Sequence, residues 1–448
     1  MFLIQDTRTR SFMRTLILAL ALATGIPCTP ALAGERAASV ASDGGLAILT
    51  KKAVTVPLEG EQVVNDAVVL VKDGRIEGVH RRASFEIPDG YEVLDVGDRW
   101  VTPGLIDLHC HVASTNFFVN DLNDVVYLTN PGLRASTSVV PGSRHLMNGL
   151  AAGVTSVLYI PGSGSNIGGQ GVLLKTGFDE YGRMEIRNPG SLKLAQAGNP
   201  EGWTIGVSRS FMNYNTRNTF LRGLAYAARF AEATARGGDA PAKDPMWEVF
   251  RSLLAKETQV STHTQIYQVV LMTITMIKEE LGLDVYIDHG SFDGWRAGKR
   301  AAEKGVPAIL GPRQIAPHIV VEYRPGLFIG NDTDGRIYGM AAQYQAQGHE
   351  LVGFNTDAPV IPEEALPLQA AMAVRYGFDT SRAQHVRGLT IVPAIAAGID
   401  DRVGSLEPGK DADLLITDGD PADPRTTVSI VFIEGEVVYD TRTEQRRW

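Results

Sequence analysis

The sequence predicts an α/β protein whose middle is a TIM-like (β/α)8 barrel and whose two ends build a small β-sandwich domain. Three observations carry this prediction. Runs typical of strands and helices alternate through the middle of the chain. Short β-branched runs separated by turn residues fill both ends. The interval from His109 to Asp357, two polar residues at predicted strand ends, is 357 − 109 = 248 residues, and a closed barrel takes about 250.

The composition is that of a large globular protein. The chain has 448 residues, of which 44% are hydrophobic and 21% are charged. The formal net charge is −9, so the basic surface that nucleic acids require is missing and we expect no nucleic-acid partner. The sequence leaves the oligomeric state open, and a homo-oligomer is compatible with it.

Residues 1–33 are predicted to be a cleavable export signal. Three arginines precede the apolar run 16–22, and a small-residue exit ends at Ala33. The apolar run is shorter than the roughly 20 residues of a spanning helix, so we expect no stable membrane insertion and a periplasmic or secreted protein. The signal is complete from either Met1 or Met13.

Cleavage of this signal would change the charge and the cysteine content. It removes three arginines and one aspartate, which gives −9 − 3 + 1 = −11 for the mature chain. It also removes Cys28 and leaves Cys110 alone, so no intrachain disulfide is expected.

Each terminal segment reads as a set of short strands. Residues 45–102 contain runs such as 67–72 before the turn residues 73–74, and residues 396–448 contain similar runs at 412–416 and 428–433. We expect the two segments to pair into one sheet domain.

Residues 103–395 are predicted to form the barrel. A helix near 265–281 is followed by a strand at 285–289, and a helix near 294–304 by a strand at 306–310, which favours a parallel sheet with helical crossovers. An insertion at about 202–256, with a helix around 220–236, interrupts the alternation of strands and helices. It is interpreted as a lid or substrate loop.

The clearest chemical motif is His109-Cys110-His111, at the end of an apolar strand. Side chains alternate along a strand, so both imidazoles point to one side and can bind one cation. Cys110 points to the other side, as a small buried residue rather than a nucleophile. A His-x-His pair also occurs hydrogen-bonded in ordinary cores, so by itself it leaves a structural role open.

Three further polar residues hold the same position in the pattern. His263, His289 and Asp357 each end an extended run, and the carboxyl ends of barrel strands share one rim. Imidazoles with a carboxylate suit zinc and leave a coordination position for water. Singly, His263 or His289 is equally interpretable as a core residue, but their recurrence at strand ends favours a metal site.

The order His-x-His, His, His, Asp resembles that of the amidohydrolase superfamily, and the sequence around these residues is similar to that of the imidazolonepropionase-like branch. The similarity runs from about residue 47 to 439. The segments that carry it are Pro103-Gly104-Leu105-Ile106-Asp107, Gly153-Val154-Thr155-Ser156-Val157, Asn355-Thr356-Asp357-Ala358-Pro359 and 404–414.

This resemblance implies a metal-dependent hydrolase barrel flanked by a small β-sandwich. It implies that His109, His111 and Asp357 bind a buried metal, and that His263 and His289 bind a second metal or face the substrate. One or two Zn²⁺ ions are expected, and another divalent ion is compatible. Asp357 would be the general base, and His289 is the alternative group to stabilise the developing oxyanion.

Lys193 is the candidate bridge between two metals. Two-metal members use a bridging ligand on an intervening strand, usually a carboxylated lysine, and Lys193 holds the corresponding place in the order. The other interpretation is a lysine whose stem packs while its ammonium reaches solvent. Ala197-Gly198-Asn199 follows where relatives often carry an acidic residue, so the number of metals stays open.

We therefore expect an exported, metal-dependent amidohydrolase that cleaves a C–N bond in a small molecule or short peptide, either a peptide-like linear amide or a cyclic amide. Deamination of a ring amidine on the same scaffold is the nearest alternative, and a periplasmic binding protein without catalysis is another. No Gly-x-Ser-x-Gly elbow occurs, which disfavours a serine hydrolase.

The remaining polar candidates are interpreted as structural. The Gly-rich run 161–171 fails the spacing of phosphate-binding motifs and is predicted to be a tight loop at the barrel mouth. Three residues near the predicted mouth are able to meet a substrate carboxylate, although solvated or core-edge roles are favoured: Arg209, Tyr267 and Arg313. Five histidines are predicted to be structural or surface residues: His80, His145, His318, His349 and His385.

Overall fold

A computed structural model describes residues 44–114, 127–196, 200, 208–316, 321–322, 328–329 and 338–447. The predicted signal, residues 1–33, therefore lies outside the described residues, as does His318. Within the described ranges, none of the helices combines the length and the apolar character needed to cross a bilayer.

The described strands are numbered in chain order. They are β1 (Gly45–Val54), β2 (Val63–Lys72), β3 (Arg75–Arg81), β4 (Tyr91–Asp95), β5 (Trp100–Pro103), β6 (Leu105–Cys110), β7 (Val154–Tyr159), β8 (Ile167–Lys175), β9 (Glu185–Ala195), β10 (Val260–His263), β11 (Ile287–His289), β12 (Ala308–Leu310), β13 (Ile315–Ala316), β14 (Val321–Glu322), β15 (Phe328–Ile329), β16 (Tyr338–Gly339), β17 (Val352–Phe354), β18 (Leu414–Thr417), β19 (Val428–Ile433) and β20 (Glu436–Asp440).

The α-helices are numbered in the same way. They are α1 (Arg144–Ala151), α2 (Tyr181–Met184), α3 (Arg209–Arg236), α4 (Val249–Leu254), α5 (Tyr267–Met272), α6 (Gly298–Glu303), α7 (Met340–Ala346), α8 (Leu366–Arg375), α9 (Gln384–Arg387) and α10 (Ile391–Ala397). Short 3-10 helices lie at Arg82–Ser84, Ala135–Ser138, Gly294–Ala297, Glu363–Ala365 and Ser381–Ala383, and a π-helix lies at Thr273–Glu280.

The two ends of the chain meet in one mixed sheet of eight strands. Its order is β20-β19-β18-β5-β1-β2-β3, and β4 pairs with β1. The ends join where β5 pairs antiparallel with β18, from Trp100 opposite Thr417 to Pro103 opposite Leu414. Alternate residues of these strands are apolar, and the buried ones, such as Ile48, Val69 and Phe432, form a separate hydrophobic cluster.

Eight strands of the middle segment lie in two sheets linked by short bridges. The first sheet has the order β10-β9-β8-β7-β6 and the second β11-β12-β17. Parallel bridges join β10 to the β11 region at Val260 with Val285 and at Thr264 with His289, and Cys110 of β6 bridges to Ala358 beyond β17. The fold is therefore α/β with mixed sheets, in which each of these strands has a neighbour on both sides.

One of these strands runs against the expected direction. β8 is antiparallel to both β7 and β9, so the predicted all-parallel sheet is wrong at this position. Only residues 160–166 connect β7 to β8, and a parallel crossover needs a dozen residues or more. The Gly-rich run was predicted to be a loop, but its second half is the start of β8.

The insertion is more helical than the sequence indicated. α3 begins at Arg209 rather than near residue 220, and two of the buried positions in its first half are threonines, Thr216 and Thr219, which give no apolar signal. Ser208 caps its first turn by accepting from the Phe211 N–H, and Gly237 ends it with φ of 65°. Phe220 packs edge-on against Phe250 of α4 at 5.4 Å between ring centroids.

The helix predicted at 265–281 is divided into α5 and the π-helix that follows it. The hydroxyl of Thr273 donates to the Val269 carbonyl at 3.1 Å, and that of Thr275 donates to the Leu271 carbonyl at 2.9 Å. Side chains that bond to the carbonyl four residues earlier compete with the α-helical N–H bond. The wider i→i+5 pattern is consistent with that competition.

Candidate metal centre

The His-x-His pair stands at the carboxyl end of β6 with both rings on one side. His109 is completely buried and His111 is 8% exposed. Their Nε2 atoms lie 3.1 Å apart. Cys110 points the other way into the hydrophobic core, where burial raises the pKa of its thiol. The strand pleat thus places two imidazole nitrogens at one point and excludes the thiol from it.

The other strand-end residues converge on the same point. His263 ends β10, His289 ends β11, and Asp357 lies three residues beyond β17. The Asp357 Oδ1 atom is 3.2 Å from His109 Nε2 and 3.4 Å from His111 Nε2. His289 Nε2 is 2.9 Å from His263 Nδ1 and 3.9 Å from Asp357 Oδ2.

The backbone at two of these residues is in the left-handed region. His289 has φ of 71° and Asp357 has φ of 51°. For residues with a Cβ this conformation costs about 1–3 kcal/mol, and it persists only where surrounding contacts impose it. Strain of this kind is common at functional sites, and here it aims both side chains into the cluster.

Lys193 enters the same cluster from β9. Its side chain is completely buried, and its Nζ lies 3.2 Å from His109 Nε2. Burial lowers the pKa of Lys193 to about 8, although the carboxylates of Asp288 and Asp357 raise it. The ammonium therefore does not reach solvent, and about a tenth of the amine is neutral at pH 7.

The outer ring nitrogens of three histidines are held by fixed partners. His109 Nδ1 lies 2.6 Å from the Asp288 carboxylate. His111 Nδ1 donates to the Ile160 carbonyl at 2.8 Å, and His289 Nδ1 donates to the Gly311 carbonyl at 2.7 Å. A carbonyl can only accept, so the proton of each of these last two rings is on Nδ1 and the Nε2 lone pair faces the centre.

This arrangement fits a divalent cation. Burial, followed by the nearby Lys193 and the other histidines, holds the pKa of His109 well below its usual range, so its ring stays neutral. His109 Nε2, His111 Nε2 and Asp357 Oδ1 lie within 3.4 Å of one another, a spacing at which all three atoms can face one cation. Two sets of side chains place their ligand atoms within 4.8 Å of one another: His109 with His111 and Asp357, and His109 with Asp288 and His289.

The two sets of side chains are not equally suited to bind a cation. In the second set Asp288 already bonds His109 Nδ1, so its carboxylate is better suited to orient that ring than to bind the cation. Asp357 is better suited as a ligand. Burial raises its pKa, but the contacts with His111, His289 and Lys193 outweigh burial and hold it below its usual range.

A buried polar network that the sequence did not reveal supports the cluster. Asp107 accepts from the His109 N–H at 2.8 Å and from the Thr356 N–H at 3.0 Å. Asn355 donates to Asp288 at 2.8 Å. Each of these residues lies within two positions of a predicted ligand, and Asp107, Asn355 and Thr356 belong to segments that carry the family resemblance.

Ser163 is a further site residue that the sequence analysis missed. Its hydroxyl lies 2.8 Å from His263 Nδ1. It belongs to the Gly-rich run 161–171, whose spacing matches no phosphate-binding motif. The weak signal was a hydroxyl inside a segment predicted to lie at the mouth.

The remaining candidates occupy other positions in the structure. Tyr267 stacks against Arg296 at 4.6 Å, Arg313 is exposed over Phe292 at 5.3 Å, and Arg209 begins α3. The other described histidines occupy varied positions: His80 stacks on Phe85, His145 lies on α1, His349 bonds the Val306 carbonyl and His385 bonds Asp420.

Comparison with known proteins gives consistent matches. The model of the amidohydrolase family matches residues 324–439. A dihydroorotase from Pelotomaculum thermopropionicum is 27% identical over 409 residues, covering 82% of this chain and 88% of the relative. An imidazolonepropionase from Brucella abortus is 26% identical over 414 residues, covering 86% of this chain and 93% of the relative.

One relative is much longer than this chain. The amidohydrolase tasK of Hapsidospora irregularis is 25% identical over 414 residues, and the match spans 83% of this chain but 40% of that protein. Among solved structures, an amidohydrolase from Thermotoga maritima superposes with a TM-score of 0.74 at 29% identity, covering 88% of this chain and all of that one.

Proposed function

This chain is a member of the amidohydrolase superfamily and a hydrolase acting on C–N bonds, and we propose that it hydrolyses a peptide-like or cyclic amide with water activated at a divalent metal. The substrate would be a small molecule or short peptide. The observation that carries the proposal is the convergence of His109, His111 and Asp357, from opposite ends of the middle segment, with all contacts within 3.4 Å.

Zinc is the metal we propose. Several imidazole nitrogens and one carboxylate make a donor set that zinc favours. The chemistry that bound zinc supplies is a water of lowered pKa, about 7, and the polarisation of a carbonyl group. Amide hydrolysis at neutral pH needs both.

We propose Asp357 as the general base. Its pKa lies below the usual range, so the carboxylate is ionised at neutral pH and can accept a proton from the attacking water. His289 suits a metal ligand better than an oxyanion donor. Its Nδ1–H is held by the Gly311 carbonyl, so only the Nε2 lone pair faces the centre, and a lone pair cannot donate a hydrogen bond to an oxyanion.

We further propose that Lys193, carboxylated by CO2, bridges two metals. A buried amine with a pKa of about 8 is sufficiently neutral to react with CO2, and its Nζ already lies within 3.2 Å of a ligand nitrogen. Lys193→Ala should reduce the metal content of the protein, and a short carboxylate such as propionate should restore part of it. Lys299→Ala, at an exposed position of α6, is the control. Unchanged metal content in Lys193→Ala would contradict the bridge.

The architecture we propose around this site is a closed barrel over residues 103–395, with the terminal segments 45–102 and 396–448 as a β-sandwich domain. The bridges at Val260, Thr264 and Cys110 support closure, and the pairing of β5 with β18 supports the joint terminal domain. The insertion at 202–256 would form part of the substrate pocket.

Export is likewise a proposal, supported by the sequence of residues 1–33. Expression in a bacterial host followed by N-terminal sequencing of the periplasmic protein should give a chain that begins at Gly34. An intact signal on active protein in the cytoplasm would contradict export.

The central experiment measures metal content and products together. Protein purified without chelator should hold one or two zinc ions per chain and release an amine and a carboxylate from members of a panel of N-acyl amino acids, dipeptides and cyclic amides. Release of ammonia from ring amidines instead would favour the deaminase alternative.

Two variants test the site itself. Asp357→Asn should lower kcat by about 10²–10⁴-fold because the general base is lost, and His111→Ala should lose both bound metal and activity. His80→Gln, on β3 of the terminal sheet, is the control and should retain both. Full activity in Asp357→Asn would refute the proposed mechanism.

A further inference from the structure

We propose that the Ser163 hydroxyl binds the carbonyl oxygen of the substrate and donates a hydrogen bond to it as negative charge develops. This rests on the proposed metal-dependent hydrolysis and adds a residue to it. The inference starts from the contact between Ser163 Oγ and His263 Nδ1 at 2.8 Å.

The two ring nitrogens of His263 have different surroundings. Its Nδ1 lies 2.9 Å from His289 Nε2, whose lone pair faces it because the proton of His289 is held on Nδ1 by the Gly311 carbonyl. His263 Nε2 is buried and has no hydrogen-bond partner among the described residues. The Nδ1 atom is therefore the one that faces the cluster.

A cation in that cluster would change the hydrogen bonding of Ser163. A ring nitrogen has either one lone pair or one hydrogen, and a cation bound at Nδ1 would use the lone pair. The Ser163 hydroxyl would then have neither a donor nor an acceptor at Nδ1. Within the described part of the chain, that atom is its only hydrogen-bond partner. With a cation bound, Ser163 would therefore be a buried O–H donor inside the centre, ready for another acceptor.

The connection that carries Ser163 is held at both of its ends. The connection 160–166 begins at Ile160, whose carbonyl holds His111. It ends at Asn166, which is completely buried and bonds the Ala195 carbonyl at 2.8 Å. Asn215 of α3 donates to Asn166 Oδ1 at 2.7 Å. A donor fixed in this way needs no reorganisation during the reaction, which is the condition for efficient oxyanion stabilisation.

The position also complements that of Asp357. The carboxylate contacts His109 and His111, whereas Ser163 contacts His263. The base and the donor therefore approach the centre through different ligands, as attack on one side of a carbonyl and stabilisation of its oxygen require.

The test compares Ser163→Ala with Ser163→Thr and with Ser165→Ala. Ser165 is the matched control because it is a buried serine of the same connection whose hydroxyl has no partner in the described residues. We expect Ser163→Ala to keep its metal and its cobalt(II) absorption spectrum while kcat falls by about 10²-fold, the effect of losing one such donor. Ser163→Thr should recover much of the loss, and Ser165→Ala should resemble the wild type.

A binding measurement separates this inference from the proposed function. Methylphosphonate is a tetrahedral anion that resembles the hydrolytic transition state. Calorimetric titration of the zinc-loaded protein should show about tenfold weaker binding to Ser163→Ala, as expected for one hydrogen bond to a charged group. This holds whether or not an amide substrate has been found. Equal affinity of Ser163→Ala and wild type would overturn the inference, and so would a loss of metal from Ser163→Ala, which would make Ser163 a metal ligand.

Discussion

At the scale of single residues, the site depends on side chains that do not themselves face its centre. Asp288 receives His109 Nδ1 at 2.6 Å through one oxygen and the Asn355 amide at 2.8 Å through the other. A histidine ligand is useful only if its ring is turned and its tautomer fixed, and Asp288 does both for His109.

Replacing this partner should weaken metal binding without removing a ligand. We expect Asp288→Asn to lower zinc affinity by about 10–100-fold, the usual effect of losing such an outer hydrogen-bond partner. Competition with a chromophoric chelator measures it. Asp284→Asn, whose carboxylate pairs with surface lysines, is the control, and equal affinities in the two variants would show that Asp288 does not orient His109.

A second residue-scale prediction concerns pH and His349, a buried histidine that bonds the Val306 carbonyl and is not one of the proposed ligands. Burial lowers the pKa of His349, and its Nε2–H donates to the Val306 carbonyl at 2.8 Å. The folded protein keeps this ring neutral, whereas the unfolded chain takes up a proton below about pH 6.5. Stability from this group is therefore present above that pH and is lost as pH falls.

His349→Gln removes that titration. The free energy of unfolding from urea titrations should decline less steeply below about pH 6.5 in the variant. The difference in slope corresponds to the uptake of up to one proton on unfolding. The buried ligand histidines contribute equally to both proteins, so the difference isolates His349. Parallel curves for variant and wild type would contradict the assignment.

At the scale of elements, the hairpin of β7 and β8 is the departure from a simple barrel. The direction of β8 brings the start of the strand, with the connection 160–166, to the metal centre and sends Lys175 to the far end. Gly169 permits the close pairing this needs. Its φ is +123°, and a Cβ there would lie 2.7 Å from the Leu133 carbonyl oxygen.

Gly169→Ala should therefore destabilise the fold. We expect a loss of about 2 kcal/mol in the free energy of unfolding, from backbone strain and the contact with Leu133. Gly182→Ala is the matched control, because a Cβ in α2 meets nothing within 4 Å. Thermal unfolding of both variants measures the difference in midpoint temperature, and equal midpoints would contradict the steric argument.

At the scale of the whole molecule, a buried ion network joins the middle strands to the terminal sheet. Lys175, 1% exposed at the end of β8, contacts Asp411 at 2.7 Å, Asp413 at 3.0 Å and Glu434 at 3.3 Å. The three carboxylates flank strands of the terminal sheet. One cation thus holds together segments more than 230 residues apart in sequence.

Removing this cation should leave buried carboxylates without compensation. We expect Lys175→Met to destabilise the protein by about 3–5 kcal/mol, the cost typical of breaking a buried ion pair from one side. Lys304→Met breaks an exposed contact with Glu279 and should cost less than about 1 kcal/mol. Denaturant unfolding measures both, and a similar small loss in each would show that the network does not hold the two parts together.

Much of the architecture was predictable because its signals are local. Alternation of strand and helix, the two β-rich ends and membership of the superfamily all depend on patterns within short segments. The direction of β8 was not predictable from such patterns, because it depends on the length of the preceding connection and on Gly169 packing against Leu133. The start of α3 was missed because two of the buried positions in its first half are threonines.

The sequence by itself determined which strand ends carry metal-binding side chains, since strand periodicity relates only neighbouring residues such as His109 and His111. Only the tertiary structure decided that Lys193 lies 3.2 Å from His109, that Asp288 stands behind the same ring and that Ser163 meets His263. These pairs are 84, 179 and 100 residues apart. Their contacts arise from packing in the whole molecule, which no local pattern encodes.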